Sequence, residues 1–577
     1  MISIKTPHAA VIVWNYKDRI GVPIGDFQAS GVSDSIGVEF ENSKPTIIST
    51  LSCISISTSK SKGQPDGTFN IVLAPTKNWT STLTTGSWCV IMMSNEPLTP
   101  DDFKKANKDH IKMLGRIESV RCETNVGDDG ARRTLYYVSG VDWGHIFNSI
   151  LYYDPLLMSP NEPNNQTAGM AVAFRDMFYG KDNSISSRPV KENLERLLTI
   201  MGKNLGGFNA LGETIGRIGN TVYELTMPDE LINFFNFTDE NGNKLNGKTI
   251  NKIITLITGS LIDKDKYYDH KEALGFLDPF SLQGTHTLWQ VLIENSNPAL
   301  NEMLCDMHWN TDSGVQFRLY NRIKPFSFKN FKSQTQTVQQ EADMIKSYFQ
   351  YLKVHELNSI DVISVNAGTN WRDKVNFIEV KPQFQEFKTI ANWTRQKAQV
   401  FDKKAFDREG FRSMIVETKQ FPGKPGSAVE SNINFESLSE WGKLLREWFF
   451  GTHKMLNGTI VFQGSTEYIG VGNNIKFDAG LLNPNPNINA ATKKTGKNQF
   501  ILAHVENVSH SFSIGTDGGR TYKTVIQFVR GIVVDENNKN VGEGSLDKDI
   551  TELSQEDDNN SLNVNSISDS QDPNRIT

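Results

Sequence analysis

The feature that most constrains the fold is a set of short segments in which apolar and polar residues alternate, separated by turns rich in glycine and proline. Such alternation is typical of strands that have one buried face. Residues 63–67 (Gly-Gln-Pro-Asp-Gly) have the composition of a hairpin turn between two such segments. The candidates in the first 150 residues are Ile36 to Phe40, Ile54 to Ile56, Phe69 to Leu73, Trp88 to Met92 and Leu135 to Val141.

The apolar spacing changes to a helical period between residues 154 and 300. Pro189 opens one amphipathic run that Gly202 closes, as expected of a helix. Thr287 and Gln290 form a capping box ahead of an apolar run. The other helix candidates are Met170 to Phe178, Glu230 to Phe235 and Ile250 to Leu261.

The remainder of the chain mixes both patterns before strands return. Helices are predicted from Glu341 to Val354 and after the capping box of Ser437 and Glu440, with Gly451 ending the second helix. Residues 483–497 form an Asn/Pro/Thr/Lys-rich loop. The predicted strands are Asp361 to Val365, Gly458 to Gln463, Glu467 to Val471, Asn474 to Phe477, His504 to Ser513 and Tyr522 to Val529.

These patterns predict a mixed α+β chain that is mainly β, with a barrel domain near each end and a largely helical insert between them. The 577-residue length is ample for several domains. The expected divisions are a first β-barrel (1–153), a mostly helical insert (154–300), a mixed α/β segment (301–436), a C-terminal β-barrel (437–534) and an acidic tail (535–577).

The C-terminal tail concentrates the negative charge of the chain. From Asp535 onward there are 11 acidic residues against three basic ones, so the tail carries −8 while the whole chain carries −6. The remaining body is therefore close to neutral, which does not favour sequence-specific nucleic-acid binding. The tail has no aromatic residue, and we expect it to be disordered in isolation. It is either a solvating appendage or a segment that becomes ordered on a partner.

Neither a membrane span nor an export signal is predicted. No run approaches the ~18 apolar residues of a transmembrane helix, and the run from Ala9 to Trp14 is too short for a signal peptide. We therefore expect synthesis in a cytoplasm. The four cysteines have no CxxC spacing and are expected to be reduced; they are Cys53, Cys89, Cys122 and Cys305.

One catalytic-looking motif is present. Gly242 to Thr249 matches GxxxxGK[ST], which in a phosphate-binding loop follows a buried strand. Here two acidic residues, Asp239 and Glu240, precede the match, so a surface turn is the preferred interpretation and nucleotide binding is the alternative.

The histidines give no metal site. His504, Glu506 and His510 fall on one face of a predicted strand, but the two histidines would stand about 20 Å apart. They are therefore predicted to be core or solvent-facing side chains. No catalytic, cofactor-binding or metal-ligating residue is predicted, and the chain is not expected to be an enzyme. A lysozyme-like carboxylate pair stays open as an alternative.

Several strings, taken in order, resemble the baseplate central hub proteins of contractile-tailed bacteriophages, which are related to the hub part of type VI secretion spike proteins. Together they span about two thirds of the chain. The strings are Leu83 to Met92, Leu114 to Val120, Tyr136 to Gly144, Trp289 to Met303, Leu319 to Phe326, Gly458 to Asn473, His504 to His510 and Gln527 to Gly531.

The resemblance implies a homotrimeric structural protein of the virion tail, assembled in the bacterial host cytoplasm. In that family two similar barrels in each of three subunits form a pseudo-sixfold ring that adapts a hexameric tail tube to a trimeric central spike. The implied partners are the tube protein, the spike and neighbouring baseplate wedge components, with DNA passing through the lumen without sequence-specific contact. The long insert and acidic tail depart from the pattern. The alternatives are a tail-tip or distal tail component of a non-contractile phage, and a tail-associated glycan hydrolase.

Overall fold

The structure is a computed structural model, and the parts of the chain that it describes are concentrated in the β-rich regions. Shorter described pieces lie within the region of the expected insert and near residue 450. The described residues are 5–15, 45–126, 130–149, 151–152, 188–189, 193–194, 227–237, 254–259, 273–275, 286–298, 301–310, 314–323, 353–382, 399–418, 420–422, 445, 449–450, 452–482 and 499–534.

The described part of the N-terminal half contains seven strands, a β-rich composition that agrees with the alternating pattern. Short helices follow β4 and β7. The strands are β1 (His8–Trp14), β2 (Thr46–Ile48), β3 (Cys53–Ser61), β4 (Thr68–Leu73), β5 (Trp88–Ser94), β6 (Ile111–Val126) and β7 (Arg132–Asp142), and the helices are α1 (Trp79–Thr82) and α2 (Ile146–Ser149).

The middle of the chain contributes shorter strands and three more described helices. The strands are β8 (Leu151–Tyr152), β9 (Arg188–Pro189), β10 (Ile254–Gly259), β11 (Ala273–Gly275), β12 (His286–Thr287), β13 (Asn301–Asn310), β14 (Gly314–Ile323), β15 (Val354–Glu356), β16 (Val362–Gly368), β17 (Phe377–Pro382), β18 (Gln399–Phe401), β19 (Ser413–Thr418) and β20 (Gln420–Pro422), and the helices are α3 (Asp229–Phe235), α4 (Leu288–Asn295) and α5 (Lys403–Glu409).

The C-terminal strands complete the largest sheet. They are β21 (Leu456–Gln463), β22 (Asn474–Asp478), β23 (Phe500–Ile514) and β24 (Arg520–Val534). The described strands of this 13-stranded sheet run in the order β16-β21-β24-β23-β3-β4-β7-β6-β5-β1-β2, with β22 also paired to β23 and β15 paired to β22. The pairing of β23 with β3 therefore connects the last part of the chain to the first.

The β3–β4 hairpin shows why the N-terminal sequence folds as a sheet. Ile56 on β3 pairs with Ile71 on β4, and both side chains are buried, while the neighbouring serines and asparagines face away from the core. The predicted turn at residues 63–67 lies between the two strands. The predicted strands around Phe69, Trp88 and Leu135 are likewise confirmed.

Two separate hydrophobic cores formed by described residues lie along the sheet. The first is made mainly of apolar residues from β1 and β3–β7, and it also includes Phe512 and Tyr522 from the β23–β24 hairpin. The second is formed by β21–β24 together with Leu304 and Tyr320 from the β13–β14 hairpin. Each core thus depends on residues that are distant in sequence.

The expected pair of closed barrels is not found among the described strands, whose largest sheet is open. The Thr50 hydroxyl, just before β3, donates to the Ala9 carbonyl of β1 at 2.7 Å. The Asn95 amide, after β5, donates to the Gly464 carbonyl beyond β21 at 3.2 Å. The first contact continues the antiparallel register of β1 and β2, and the second links the N-terminal half to the C-terminal half.

The expected helical insert lies largely outside the described residues, including Met170 to Phe178 and most of Pro189 to Gly202. Within the described part, α3 and the Thr287–Gln290 capping box of α4 confirm two predictions. The helix predicted from Ile250 to Leu261 is wrong, because residues 254–259 form β10, which pairs in parallel with β14.

Two further predictions concern the C-terminal region. The strand expected from Glu467 to Val471 is wrong, since these residues form a loop packed on β13. The helices predicted after residues 341 and 437 lie almost wholly outside the described residues, as do the loop 483–497 and the tail from Asp535. None of the described helices is long and apolar enough to cross a membrane.

Candidate functional site

The junction between the two β halves is the most distinctive polar region of the described chain. It forms where the second part of β23 pairs with β3, from Asn507↔Ser61 to Ser513↔Ser55. The first part of β23 pairs instead with β22, from Asn474↔His504 to Asp478↔Phe500. Two register shifts in the β23–β24 pairing, near His504 and Asn507, separate these parts. One long strand is therefore shared by both halves.

The β13–β14 hairpin covers this junction and contacts both halves. Leu304 and Tyr320 join the C-terminal core. On the N-terminal side, the Cys305 thiol donates a 2.7 Å hydrogen bond to the Pro65 carbonyl in the β3–β4 turn. Phe317 stacks on Trp143, which follows β7. The hairpin thus acts as a clasp between the two cores.

A buried ion pair lies under this clasp. The Lys60 ammonium on β3 pairs with Asp142 Oδ2 at the end of β7, and both side chains are nearly inaccessible. Asp142 Oδ1 accepts a 2.9 Å hydrogen bond from the Gly144 amide, so the same carboxylate caps the following 3-10 turn. Burial alone would lower the pKa of Lys60, but the Asp142 carboxylate reverses this effect and holds the pKa above its usual value.

A second carboxylate approaches the same region from β13. Asp306 Oδ1 accepts hydrogen bonds from its neighbour's backbone amide at Met307 (2.8 Å) and from the Tyr468 hydroxyl. Burial raises the pKa of Asp306 to about 6, against the attraction of Lys60. A Cβ placed on Gly470 would lie 2.0 Å from Asp306 Oδ2, so the loop can approach this carboxylate because residue 470 is glycine.

A small cavity of about 20 Å³ lies among these groups, which is room for about one water molecule. Its walls come from both halves and from the clasp. The charged and polar lining residues are Thr58, Lys60, Lys112, Asp142, Tyr468 and His510.

A further polar cluster joins four strands beside the cavity. The Lys62 ammonium, just after β3, lies 3.1 Å from Glu302 Oε2 on β13 and 2.5 Å from Glu506 Oε1 on β23. His504 Nε2 is 3.4 Å from Glu302 Oε2, and His504 Nδ1 is 3.0 Å from the Asn474 side-chain oxygen on β22. Through Glu302, the cluster attaches the start of the clasp to the end of β3 and to β23.

The loop after β21 carries the third set of charged contacts. Lys112, at the start of β6, donates to the carbonyls of Asp109 (2.9 Å) and Glu467 (3.3 Å). Burial lowers the pKa of Lys112 to about 7. The Glu467 carboxylate itself pairs with Lys353 and with His355 Nδ1, and these partners outweigh its burial and lower its pKa to about 2. This loop therefore connects β6 and β15.

The structure places the histidines predicted from the sequence in two different environments. His504 belongs to the Lys62 and Glu302 cluster, whereas buried His510 lies 3.0 Å from the Thr524 hydroxyl. Both are core residues, as one of the two sequence-based interpretations holds. Among the described residues, no group of three or more His, Cys, Asp or Glu side chains is placed to hold a metal ion. Gly242 to Thr249 lies outside the described residues.

Sequence reasoning missed the charged residues that form the junction. Lys60 and Lys62 stand in a run of serines and threonines that reads as a solvent-facing strand. Asp306 and Glu302 alternate with apolar residues on β13, which is the pattern of a half-exposed strand. A detectable signal was Asp142 before Trp143 and Gly144, because aspartate commonly caps the start of a helical turn.

Comparison with known proteins gives structural matches alone: no family model matches the sequence, and no curated protein matches it. A tail protein from Neisseria meningitidis is similar at a TM-score of 0.39 and 10% identity, over 91% of this chain and 96% of that one. The 43 kDa tail protein of prophage MuSo2 from Shewanella oneidensis is similar at 0.37 and 12% identity, over 84% and 95%. The Francisella PdpA–VgrG complex is similar at 0.35 and 7% identity, over 94% of this chain and 54% of that one. The first two of these solved structures are described as tail proteins, and the third contains VgrG.

Proposed function

We propose that this chain is the structural hub of a contractile-tail baseplate, which as a homotrimer adapts a hexameric tail tube to a trimeric central spike. The observation that carries the proposal is the presence of two β cores, one from each end of the chain, joined in a single sheet by the pairing of β23 with β3. The ordered sequence resemblance to hub proteins supports the same role.

Two β lobes in each subunit would allow a trimer to match a sixfold partner. A trimer of subunits with two β lobes each presents six lobes around one axis, so duplication within the chain can match sixfold and threefold partners. Described charged contacts help to hold the two lobes together, since Lys62 contacts Glu302 and Glu506, and Lys112 contacts the Glu467 carbonyl. In this proposal the ring surrounds the DNA channel and makes no sequence-specific contact with DNA.

The proposed partners are the tube protein on one face, the spike on the other, and neighbouring wedge components at the periphery. The protein would then be a virion tail component assembled in the host cytoplasm. Its role would be structural, with no catalytic residue of its own.

Mass and symmetry measurements test the proposal directly. Native mass spectrometry of the purified chain should give three times the 64.8 kDa subunit mass, and class averages from electron microscopy should show a ring with six lobes. Mixing with purified tube protein and spike protein should give a ternary complex. A monomer that binds neither partner would contradict the proposal, and release of cell-wall fragments by the purified chain would favour the glycan hydrolase instead.

A further inference from the structure

Strand β16 is the outermost strand at one end of the large sheet. Among the described strands it pairs with β21 alone. After a register shift between Val362 and Ser364 the pairing is regular to Gly368. Val365 and Ala367 pack against the C-terminal core, so one face of β16 is covered. Its outer edge is not paired within the part of the chain that the structure describes.

Apart from the register shift at its start, this edge shows little protection against strand addition in the part of the chain that the structure describes. Protein sheets commonly guard their edges with charged residues, proline or a covering segment. Residues 362–368 contain neither a charged residue nor proline. Ile363 is 54% exposed, and Ile360 just before the strand is 88% exposed. The chemistry of the edge therefore suits an added apolar strand.

The C-terminal tail begins at the same end of the sheet. Gly531 of β24 pairs with Leu456 of β21, and the adjacent Asn457 pairs with Gly368 of β16. Two strand spacings, about 10 Å, thus separate Gly531 from the end of β16. β24 ends three residues later at Val534. A segment that folds back from this point would run antiparallel to β16.

Cationic groups lie where the tail would pass. The 3-10 turn at Trp371–Asp373 follows β16, and the Arg412 guanidinium lies 5.1 Å from the centre of the Trp371 ring. The His453 ring, just before β21, lies 6.1 Å from the Trp371 ring, which places this turn beside the start of β21. Arg372 in the same turn is exposed. The first tail residues, Asp535 and Glu536, are acidic and complement this charge.

We propose that Leu562–Ile567 of the tail adds to the open edge of β16 in the same chain as an antiparallel strand. This six-residue stretch has no charge and no proline, and Leu562 and Val564 alternate as they would on one face of a strand. The 27 residues from Asp535 to Ser561 can span roughly 90 Å when extended, far more than the separation to be crossed. The residues between act as the tether.

Hydrogen–deuterium exchange of the full chain tests the proposal. The peptide covering residues 362–368 should exchange roughly tenfold more slowly in the full chain than in a Val564→Pro variant, because proline removes a strand amide and disrupts pairing. Ser570→Pro, which places proline just outside the pairing stretch, is the matched control and should leave the exchange unchanged. Equal exchange in the full chain and in Val564→Pro would overturn the proposal.

A second measurement identifies whose tail occupies the edge. In a Cys122→Ser background, Asn366→Cys and Asn563→Cys are joined by a short bis-maleimide in a refolded mixture of isotopically heavy and light chains. If every cross-link joins two residues that carry the same isotope label, the strand comes from the same chain and the proposal is supported. Cross-links that join heavy to light chains would show that a second copy supplies the strand, and would overturn it. Both measurements are independent of the proposed hub function, since neither requires tube or spike.

Discussion

The indole ring of Trp143 lies parallel to the phenyl ring of Phe317, with centroids 4.3 Å apart and planes 4° from parallel. Trp143 follows the last strand of the N-terminal half, and Phe317 lies on the second strand of the clasp. Both side chains are fully buried. Offset stacking of this kind adds about 0.5–1.5 kcal/mol beyond the burial of area. The contact therefore fastens the clasp to the N-terminal half.

Replacing Phe317 with alanine should loosen this attachment. The change leaves a cavity beside Trp143 and Phe237, and we expect a loss of about 3–5 kcal/mol. When urea denaturation is followed by tryptophan fluorescence, the first transition should have its midpoint at a lower urea concentration. Phe411→Ala is the matched control, because Phe411 is 58% exposed, and it should change stability by less than about 0.5 kcal/mol. Similar midpoints for both variants would contradict the role of the clasp.

Removing the buried ammonium group of Lys60 should reduce the stability of the fold more than removing an exposed ammonium group. Lys60→Met leaves the Asp142 carboxylate buried without its partner, which we expect to cost about 3–5 kcal/mol. Lys104→Met removes an ion pair with Asp101 whose lysine is 73% exposed, so its effect should be below about 1 kcal/mol. The double variant Lys60→Met/Asp142→Asn should recover part of the loss. Melting temperatures at neutral pH provide the comparison.

The low pKa of Lys112 predicts an alkaline dependence of stability. Its pKa is about 7 in the folded protein and 10.5 in the unfolded chain, so between these values the unfolded state binds more protons. The contribution of Lys112 to the free energy of unfolding is complete above pH 10.5, where the amine is neutral in both states. It is lost as the pH falls toward 7, because the unfolded state then gains a proton that the folded state does not bind. The free energy of unfolding of the native protein, relative to Lys112→Met, should therefore rise from pH 7 to pH 9.5. A constant difference across this range would show that the buried amine keeps its ordinary pKa.

Gly470 should not tolerate a methyl group. In Gly470→Ala the new Cβ would lie 2.0 Å from Asp306 Oδ2 and 3.0 Å from the Asn473 side-chain nitrogen, so the loop or β13 must move. We expect a loss of about 1–3 kcal/mol. Gly63→Ala is the matched control, because no atom lies within 4 Å of its added Cβ. The melting temperature of Gly470→Ala should be clearly lower than that of Gly63→Ala. Equal melting temperatures would show that Asp306 does not lie against residue 470.

Sequence patterns predict the local strands well where one face is buried. The alternation of Phe69, Ile71 and Leu73 and that of Tyr522 to Phe528 both correspond to observed strands. The error at residues 254–259 has a local cause. Ile254, Thr255, Ile257 and Thr258 are β-branched and favour a strand, but their apolar spacing also fits a helix.

The junction could not be predicted, because it depends on pairings between distant residues. Lys62 is solvent-facing by local pattern and becomes largely covered only when Glu302 and Glu506 are brought beside it. Likewise, Glu467 to Val471 has the composition of a strand but folds as a loop, since Gly470 fits closely against Asp306. Neither relationship leaves a periodic signal in the sequence.

The pairing of β23 with β3 also has a consequence for the order of events during synthesis. The Ser509 hydroxyl donates to the Ser59 hydroxyl across 450 positions of sequence, and the N-terminal core includes Phe512 and Tyr522. At typical translation rates of about 5–20 residues per second, the ribosome takes roughly 20–90 s to deliver these partners after β3 emerges. The N-terminal half must wait for nearly the whole chain before its sheet is complete. A truncated product would therefore lack both a finished core and a finished junction, and could not take a full-length subunit's place in an assembly.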